Sequence, residues 1–229
     1  MINVFIGYDQ TEAVAAQVLA HSIWKNASRP VAISLLVSKQ LKACAKHTRE
    51  RHPLQSTEFS FTRFLVPYLM GYNGYGIFLD CDMLVLDDIT KLVDDALDPY
   101  APVSCVMHNH KPVNTTKMRG ATQTTYSMKN WSSVMVFWCA HKDCANLTPE
   151  YVNTATGLDL HQFKWLNTGK VGRLPFRWNH LVGYDEQVPV EGVSLLHWTE
   201  GGPWWPEFKD TEYSDVWFRE YEEMTNGNG

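Results

Sequence analysis

A chain of 229 residues, 45% hydrophobic and 20% charged, has enough apolar material for one substantial core and the composition of an ordinary globular protein. Its formal net charge of −5 comes with no basic block or stripe, which excludes the electrostatic footprint of a nucleic-acid binder. Five cysteines without Cys-x-x-Cys spacing argue against a disulfide framework and a thiolate zinc site, and no apolar run approaches the roughly 20 residues of a membrane span.

The apolar start is followed closely by Asp9 and preceded by no basic residue, so it is not expected to be a signal peptide, and a reducing cytoplasm is the expected compartment. Ile2 to Ile6 reads as a buried strand meeting Gly7-Tyr8-Asp9. Thr11 to Trp24 repeats Val14, Val18, Leu19 and Ile23 at helical spacing. Val31 to Val37 is a second strand, and the basic run Lys39 to Arg51 a helix with a solvated face. Phe61 to Met70 is helical around Pro67 and closes in the turn-rich 71–76 segment, after which Ile77-Phe78-Leu79 forms a third buried strand. Thr90 to Leu97 suggests a short helix and Val103 to Met107 a strand. His108 to Tyr126 is a polar stretch without period, of a length that usually marks a functional loop. Val134 to Trp138 is strand-like, Tyr151 to Trp165 mostly helical, Val193 to His197 a last strand, and Thr211 to Met224 an acidic, aromatic helix. Alternating strands and helices predict an α/β/α sandwich with a mainly parallel, Rossmann-like sheet, in one domain over 1–225 with a polar tail at 226–229.

Two acids at i and i+2 at the polar end of an apolar strand point to one side, so Asp80 and Asp82 should converge. Hard oxygen ligands suit Mg²⁺ or Mn²⁺, which commonly share one or two carboxylates with the phosphates of a substrate. The flanks Ile77-Phe78-Leu79 and Met83-Leu84-Val85-Leu86 are apolar, and acids left there without a cation would be costly. His108 and His110 form a His-x-His pair at a strand exit; with no third ligand evident they are expected on the acceptor side rather than at a metal.

The run from Phe61-Thr-Arg63-Phe-Leu-Val-Pro67 through Ile77-Phe-Leu-Asp80-Cys-Asp82-Met-Leu-Val resembles the centre of GT-A fold glycosyltransferases, most closely the retaining glycosyltransferase family 8 group. Ile6-Gly7-Tyr8-Asp9, Trp131-Ser132-Ser133-Val134, and Leu195-Leu196-His197-Trp198 with Gly201-Gly202-Pro203-Trp204 follow in the same order and span nearly the whole chain. The resemblance implies that Asp80, Asp82 and His197 hold Mn²⁺ or Mg²⁺, with Asp80 and Cys81 also near the donor. It implies that Tyr8 and Asp9 contact the base of a nucleotide, that Arg63 reaches the diphosphate or the donor sugar, and that Gly202 and Trp204 belong to a loop closing over the diphosphate. Ser133 lies where relatives carry small residues against the donor sugar, and the Ser132-Ser133 pair departs from their pattern. Leu174-Pro175-Phe-Arg-Trp178-Asn179 matches a segment of the relatives well. Leu158-Asp159-Leu-His161-Gln162 matches more loosely, and it places Asp159 or Gln162 beneath the anomeric carbon.

The expected activity is transfer of a hexose from a nucleoside diphosphate sugar, UDP-glucose or UDP-galactose by resemblance, to an acceptor hydroxyl with retention of configuration. Two alternatives stand beside it. An apolar-Asp-x-Asp strand end also opens phosphatases of the haloacid dehalogenase type, with Asp80 as nucleophile, and a Trp-rich surface would suit a non-catalytic carbohydrate-binding protein.

Overall fold

The computed structural model describes residues 1–43, 47–50, 55, 57–98, 100–109 and 128–227. The first strand, β1 (Ile2–Tyr8), runs into a 3-10 turn at Gln10–Glu12 and the helix α1 (Ala13–Asn26). β2 (Val31–Val37) then pairs parallel to β1, with Ile2 opposite Val31 and Tyr8 opposite Val37. The basic segment after it forms only the short helix α2 (Ser38–Ala43), while 47–50 carry no regular structure. The rest of the expected Lys39–Arg51 helix, 44–46 and Arg51, lies outside the described residues. A 3-10 turn over Thr62–Leu65 passes into α3 (Val66–Leu69), where Pro67 is tolerated because the first-turn N–H groups have no helical acceptor.

β3 (Tyr75–Leu79) lies parallel to β1 on its other side, with Ile77, Phe78 and Leu79 fully buried. Burying each such side chain stabilises the fold by roughly 1.5–3 kcal/mol. The chain then bends at Asp80 to Asp82 and resumes as β4 (Met83–Val85), a strand of a different sheet. After α4 (Thr90–Asp95) come β5 (Val103–Cys105) and β6 (Val134–Trp138). The expected long helix over 151–165 is broken at Ala155-Thr156 into α5 (Pro149–Thr154) and α6 (Gly157–His161). The short strands β7 (Gly172–Arg173) and β8 (His180–Leu181), then β9 (Leu195–His197) and α7 (Ser214–Asn226), complete the chain.

Among the described residues the main sheet has six strands in the order β2-β1-β3-β6-β5-β7. Only β6 is reversed: it pairs antiparallel to β3 and to β5, whereas β1 with β2, β1 with β3 and β5 with β7 are parallel. The reversal brings the start of β6 to the end of β3, where the Asp80 N–H donates to the Ser133 carbonyl at 3.0 Å. A second sheet, β4-β9-β8, pairs Met83 with His197 antiparallel and Leu181 with His197 parallel.

Helix α1 is buried on a broad face because it separates two apolar clusters. Ala16, Leu19 and Ile23 enter the main core, and Val18 enters a smaller one with Leu84, Leu196, Trp198 and Trp217. Buried Ser22 on α1 accepts from the Val85 N–H at 3.2 Å, and Asn26 Nδ2 donates to the Val85 carbonyl at 3.2 Å. These two bonds seat β4 on α1 and so fix where the Asp80–Asp82 bend emerges. Gly7 allows close approach: a Cβ there would lie 2.4 Å from Phe59 Cδ2, and Phe59 is fully buried against β1. Among the described residues no helix is long and apolar enough to cross a membrane.

Candidate metal and donor site

One ligand atom each from Asp80, Asp82 and His197 lies within 4.8 Å of the other two. The Asp80–Asp82 bend supplies two of them, and the antiparallel register of β4 on β9 supplies the third by setting Met83 against His197. The pairing continues past the strand, since the Trp198 N–H donates to the Asp82 carbonyl at 3.0 Å. His197 Nε2 stands 3.3 Å from Asp82 Oδ1. Asp82 is 6% and His197 2% exposed, so the carboxylate is largely withdrawn from water. Two carboxylates and an imidazole in this arrangement are a suitable donor set for Mn²⁺ and an acceptable one for Mg²⁺.

The surrounding charge fits a cation. Buried Arg63 forms an ion pair from Nη1 to Asp80 Oδ1 at 2.9 Å and donates to the Ser132 carbonyl at 2.8 Å, with its guanidinium beside the Phe59 and Phe78 rings at 5.3 and 4.9 Å. On the other side of the bend sits Glu12, only 1% exposed, which accepts from the Cys81 thiol at 3.6 Å through Oε2 while Oε1 has no hydrogen-bond partner among the described residues. Burial, and then the charges of Asp82 and Asp9, push its carboxyl up to about 8. Asp9, Glu12 and Asp82, all buried, thus meet in one region beside Asp80, which pairs with Arg63, and a divalent ion would relieve the crowding of acids.

This acid yields a pH prediction. Because the folded-state value lies above the ordinary value of 4.5, the native metal-free protein holds a proton that the unfolded chain releases. Stability should therefore fall as pH rises from about 4.5 to about 8, by about 1.4 kcal/mol per pH unit at most, and level off above. In Glu12→Gln that slope should vanish. Urea titrations in chelator at several pH values measure it, and an unchanged slope in the variant would place the titrating group elsewhere.

The other expected site residues fall as follows. Tyr8 ends β1 half-buried. Asp9 is buried and caps the 3-10 turn, with Oδ1 accepting from the Thr11 N–H at 3.0 Å and its hydroxyl at 2.8 Å, and Oδ2 from the Glu58 N–H at 3.2 Å. Cys81 turns its thiol inward to Glu12 and is fully buried, so only its backbone faces the bend. Ser133 is buried, donates to the Asn130 carbonyl at 2.6 Å and accepts from Asn179 Nδ2 at 2.9 Å. Gly202 lies directly beneath the indole of Trp204, where a Cβ would come within 2.0 Å of the ring. Trp204 in turn packs on Trp198 and on Trp217 of α7, at 6.2 and 5.7 Å between centroids. The loop is thus clamped by α7.

Asp159 is engaged at the surface. It accepts from the Thr156 hydroxyl at 2.6 Å, pairs with Lys164 Nζ at 2.8 Å, and takes part in capping its own helix; the Lys164 bond holds its carboxyl below the usual range. Gln162 closes α6 through its N–H to the Leu158 carbonyl at 2.9 Å. Next to Gln162, a residue without an expected role is tied to the site: His161 Nδ1 is 2.7 Å from Ser132 Oγ, and its ring meets Phe64 edge-on. Burial, then Arg63, depress its basicity strongly, so it is neutral at physiological pH. Asn179 was legible as part of a matching segment but not as a partner of His197, whose Nδ1 lies 2.9 Å from its Oδ1. His108 is buried and packs on Phe176, while His110 and the rest of the polar stretch through Tyr126 lie outside the described residues.

No protein-family model matches the chain. The sheet and the placement of the acids at the carboxyl end of its interior strand β3 define the GT-A fold, and solved structures of glycosyltransferases share it. Galactosyltransferase LgtC in complex with donor and acceptor sugar analogues aligns with a TM-score of 0.62 at 13% identity, over 98% of this chain and 96% of its own. The bifunctional glycosyltransferase WbbM aligns with a TM-score of 0.66 at 17% identity over 98% of this chain, which spans 51% of WbbM. Glycosyltransferase GlyE of Streptococcus pneumoniae TIGR4 aligns with a TM-score of 0.63 at 14% identity, over 99% of this chain and 62% of GlyE. Within that fold the chain belongs to the family of Protein CDI of Arabidopsis thaliana, with which it is 46% identical over 229 residues, 99% of this chain and 88% of that protein.

Proposed function

We propose that the protein is a metal-dependent glycosyltransferase that moves a hexose from a nucleoside diphosphate sugar, UDP-glucose or UDP-galactose, to an acceptor hydroxyl with retention of configuration. The observation that carries this reading is the cluster of half-buried Asp80 with buried Asp82 and His197 at the end of β3 in a GT-A fold. These three residues would hold Mn²⁺ or Mg²⁺, which when bound supplies Lewis-acid charge to the departing diphosphate.

The chain's own residues do the rest. Arg63 fixes the Asp80 carboxylate and brings a permanent positive charge to the leaving-group side. Tyr8 and Asp9, at the end of β1, receive the base. The backbone of Gly202 and the clamped Trp204 cover the diphosphate and exclude water. Asp159 or Gln162 on α6 stands beneath the anomeric carbon, on a helix that the His161 to Ser132 bond holds against the metal side. Since Asp159 is already paired with Lys164 and Thr156, front-face attack guided by the leaving phosphate is favoured over a covalent intermediate. The phosphatase alternative loses its footing in this fold, where the Asp-x-Asp bend follows the third strand of the chain. A cytoplasmic setting belongs to the same proposal, supported by the free and buried thiols of Cys81, Cys105, Cys139 and Cys144.

The test is release of nucleoside diphosphate from a panel of UDP-, GDP- and ADP-sugars with Mn²⁺ or Mg²⁺, with acceptor sugars supplied. Metal-dependent release from one donor is the expected result. Binding of sugars without nucleotide, and no cleavage of any donor, would move the protein to the carbohydrate-binding reading.

A further inference from the structure

The segment ending in Asn179 matched relatives in sequence, yet the proposed reaction gives it no task. In the fold it is placed with care. Trp178 is fully buried and its indole N–H donates to Asp95 Oδ2 at 2.7 Å, which seats the 3-10 turn Phe176–Trp178. The next residue, Asn179, is fully buried between Ser133 and His197, themselves 3% and 2% exposed. No water can set the polarity of hydrogen bonds in so dry a place, so the protein groups must do so.

They do it from one backbone carbonyl. The Asn130 carbonyl can only accept, and it receives the Ser133 hydroxyl at 2.6 Å and, at 3.4 Å, the amide nitrogen of Asn179. With its proton given to Asn130, Ser133 Oγ has lone pairs left to accept from Asn179 Nδ2 at 2.9 Å. The Asn179 amide is thereby oriented, nitrogen toward Ser133 and Asn130, and Oδ1 toward His197 Nδ1 at 2.9 Å. An amide oxygen cannot donate, so Nδ1 must carry a proton, and in the neutral imidazole Nε2 then carries the lone pair. Nε2 is the atom that faces Asp82 Oδ1 at 3.3 Å.

We propose that Asn179, braced by Ser133 on the Asn130 carbonyl, is the positioning residue that locks His197 in the tautomer able to ligate a divalent cation. The proposal rests on the reading of Asp80, Asp82 and His197 as a cation site, and not on the identity of the donor. Asn130 holds φ 64°, a left-handed conformation that Asn adopts more readily than most residues, and this turns its carbonyl to where Ser133 and Asn179 meet it.

The experiment is imidazole ¹⁵N NMR on the metal-free full chain, with the His197 signals assigned by their loss in His197→Gln, together with Mn²⁺ binding followed by EPR of the free ion. In wild type, Nδ1 should show the protonated shift and Nε2 the unprotonated one. Asn179→Leu should mix or reverse the tautomers and weaken Mn²⁺ binding by about 10- to 100-fold. Asn179→Asp keeps an acceptor oxygen and should retain the wild-type tautomer and most of the affinity, a rescue that a merely space-filling role does not predict. A wild-type His197 protonated on Nε2, or an Asn179→Leu variant with unchanged Mn²⁺ affinity, would overturn the positioning role. Should Asn179→Leu fail to fold, the wild-type and Asn179→Asp spectra still decide it. Failure of wild type to bind Mn²⁺ at all would overturn the cation-site reading, and the positioning role with it, whatever any sugar-nucleotide assay shows.

Discussion

An Asp82→Asn variant is expected to lose about 10³-fold or more in kcat/KM for the donor, yet to melt higher than wild type in chelator at pH 9. The loss follows from removing the buried one of the two carboxylates that converge with His197. The gain has two sources. Above the Glu12 value of about 8 both that acid and Asp82 are charged in a water-poor region, and Asp82 is the largest single charge acting on Glu12. The lone pair of His197 Nε2 also faces Asp82 Oδ1 at 3.3 Å, where an amide N–H could donate to it. Relief of about 1 kcal/mol would raise the midpoint by roughly 2–4 °C in a chain of this size. Wild-type turnover in the variant would remove Asp82 from the metal set. A lower midpoint at pH 9 would show that the acid cluster does not strain the metal-free fold.

Arg63→Met should be the most destabilising of the substitutions considered, by about 3–5 kcal/mol in urea unfolding of the metal-free protein. The guanidinium is almost fully buried, and its removal leaves the Asp80 carboxylate without its cation and the Ser132 carbonyl without its donor. Methionine fills the space beside Phe59 and Phe78 but can donate to neither oxygen. Arg63→Lys should recover only part of the loss, because an ammonium could replace Nη1 at Asp80 and Ser132 but has no second nitrogen for the Phe59 carbonyl that Nε meets at 3.4 Å. Added Mn²⁺ should narrow the deficit by binding the native state alone. A deficit below about 1 kcal/mol would mean that Asp80 is served by other partners and that Arg63 is free for the substrate.

The strands of the main sheet and the convergence of Asp80 with Asp82 could be read from the chain because both follow from local pattern. Ile77-Phe78-Leu79 is unbroken and apolar, as a strand buried on both faces must be, and the bend is marked by acids where the apolar run stops. The direction of β6 was not legible: Val134–Trp138 reads the same whether it pairs parallel or antiparallel, and hydrophobic period carries no sign. β4 was read only as an apolar flank, because Met83–Val85 follows Leu79 so closely that a change of sheet leaves no punctuation in composition. β7 and β8 are two residues each, too short for any periodicity.

At the site the difference is between residues that carry chemistry by type and residues that act through a partner. Asp80, Asp82 and His197 were found through their types and the family pattern, and the fold brings them together. Glu12, His161 and Asn179 were missed because each depends on a contact across the chain: Glu12 with Cys81, His161 with Ser132, Asn179 with His197. Asp159 or Gln162 is expected from a loosely matching segment, and that Thr156 and Lys164 already engage Asp159 is visible only in the folded chain.

The change of sheet between β3 and β4 has a consequence for folding order. β1, β2 and β3 can pair as soon as the first third of the chain is available, but β4, though seated on α1, has no strand partner until β9 arrives from far along the sequence, since β9 lies between β4 and β8. Until then Asp82 hangs on an unpaired strand and His197 is absent from its side, so the acids can collect a cation only loosely. Such long-range closure is slow relative to local pairing. The cation site should therefore mature last, as a seal on a fold already built, and a chain stalled before β9 would keep a sheet but no catalytic centre.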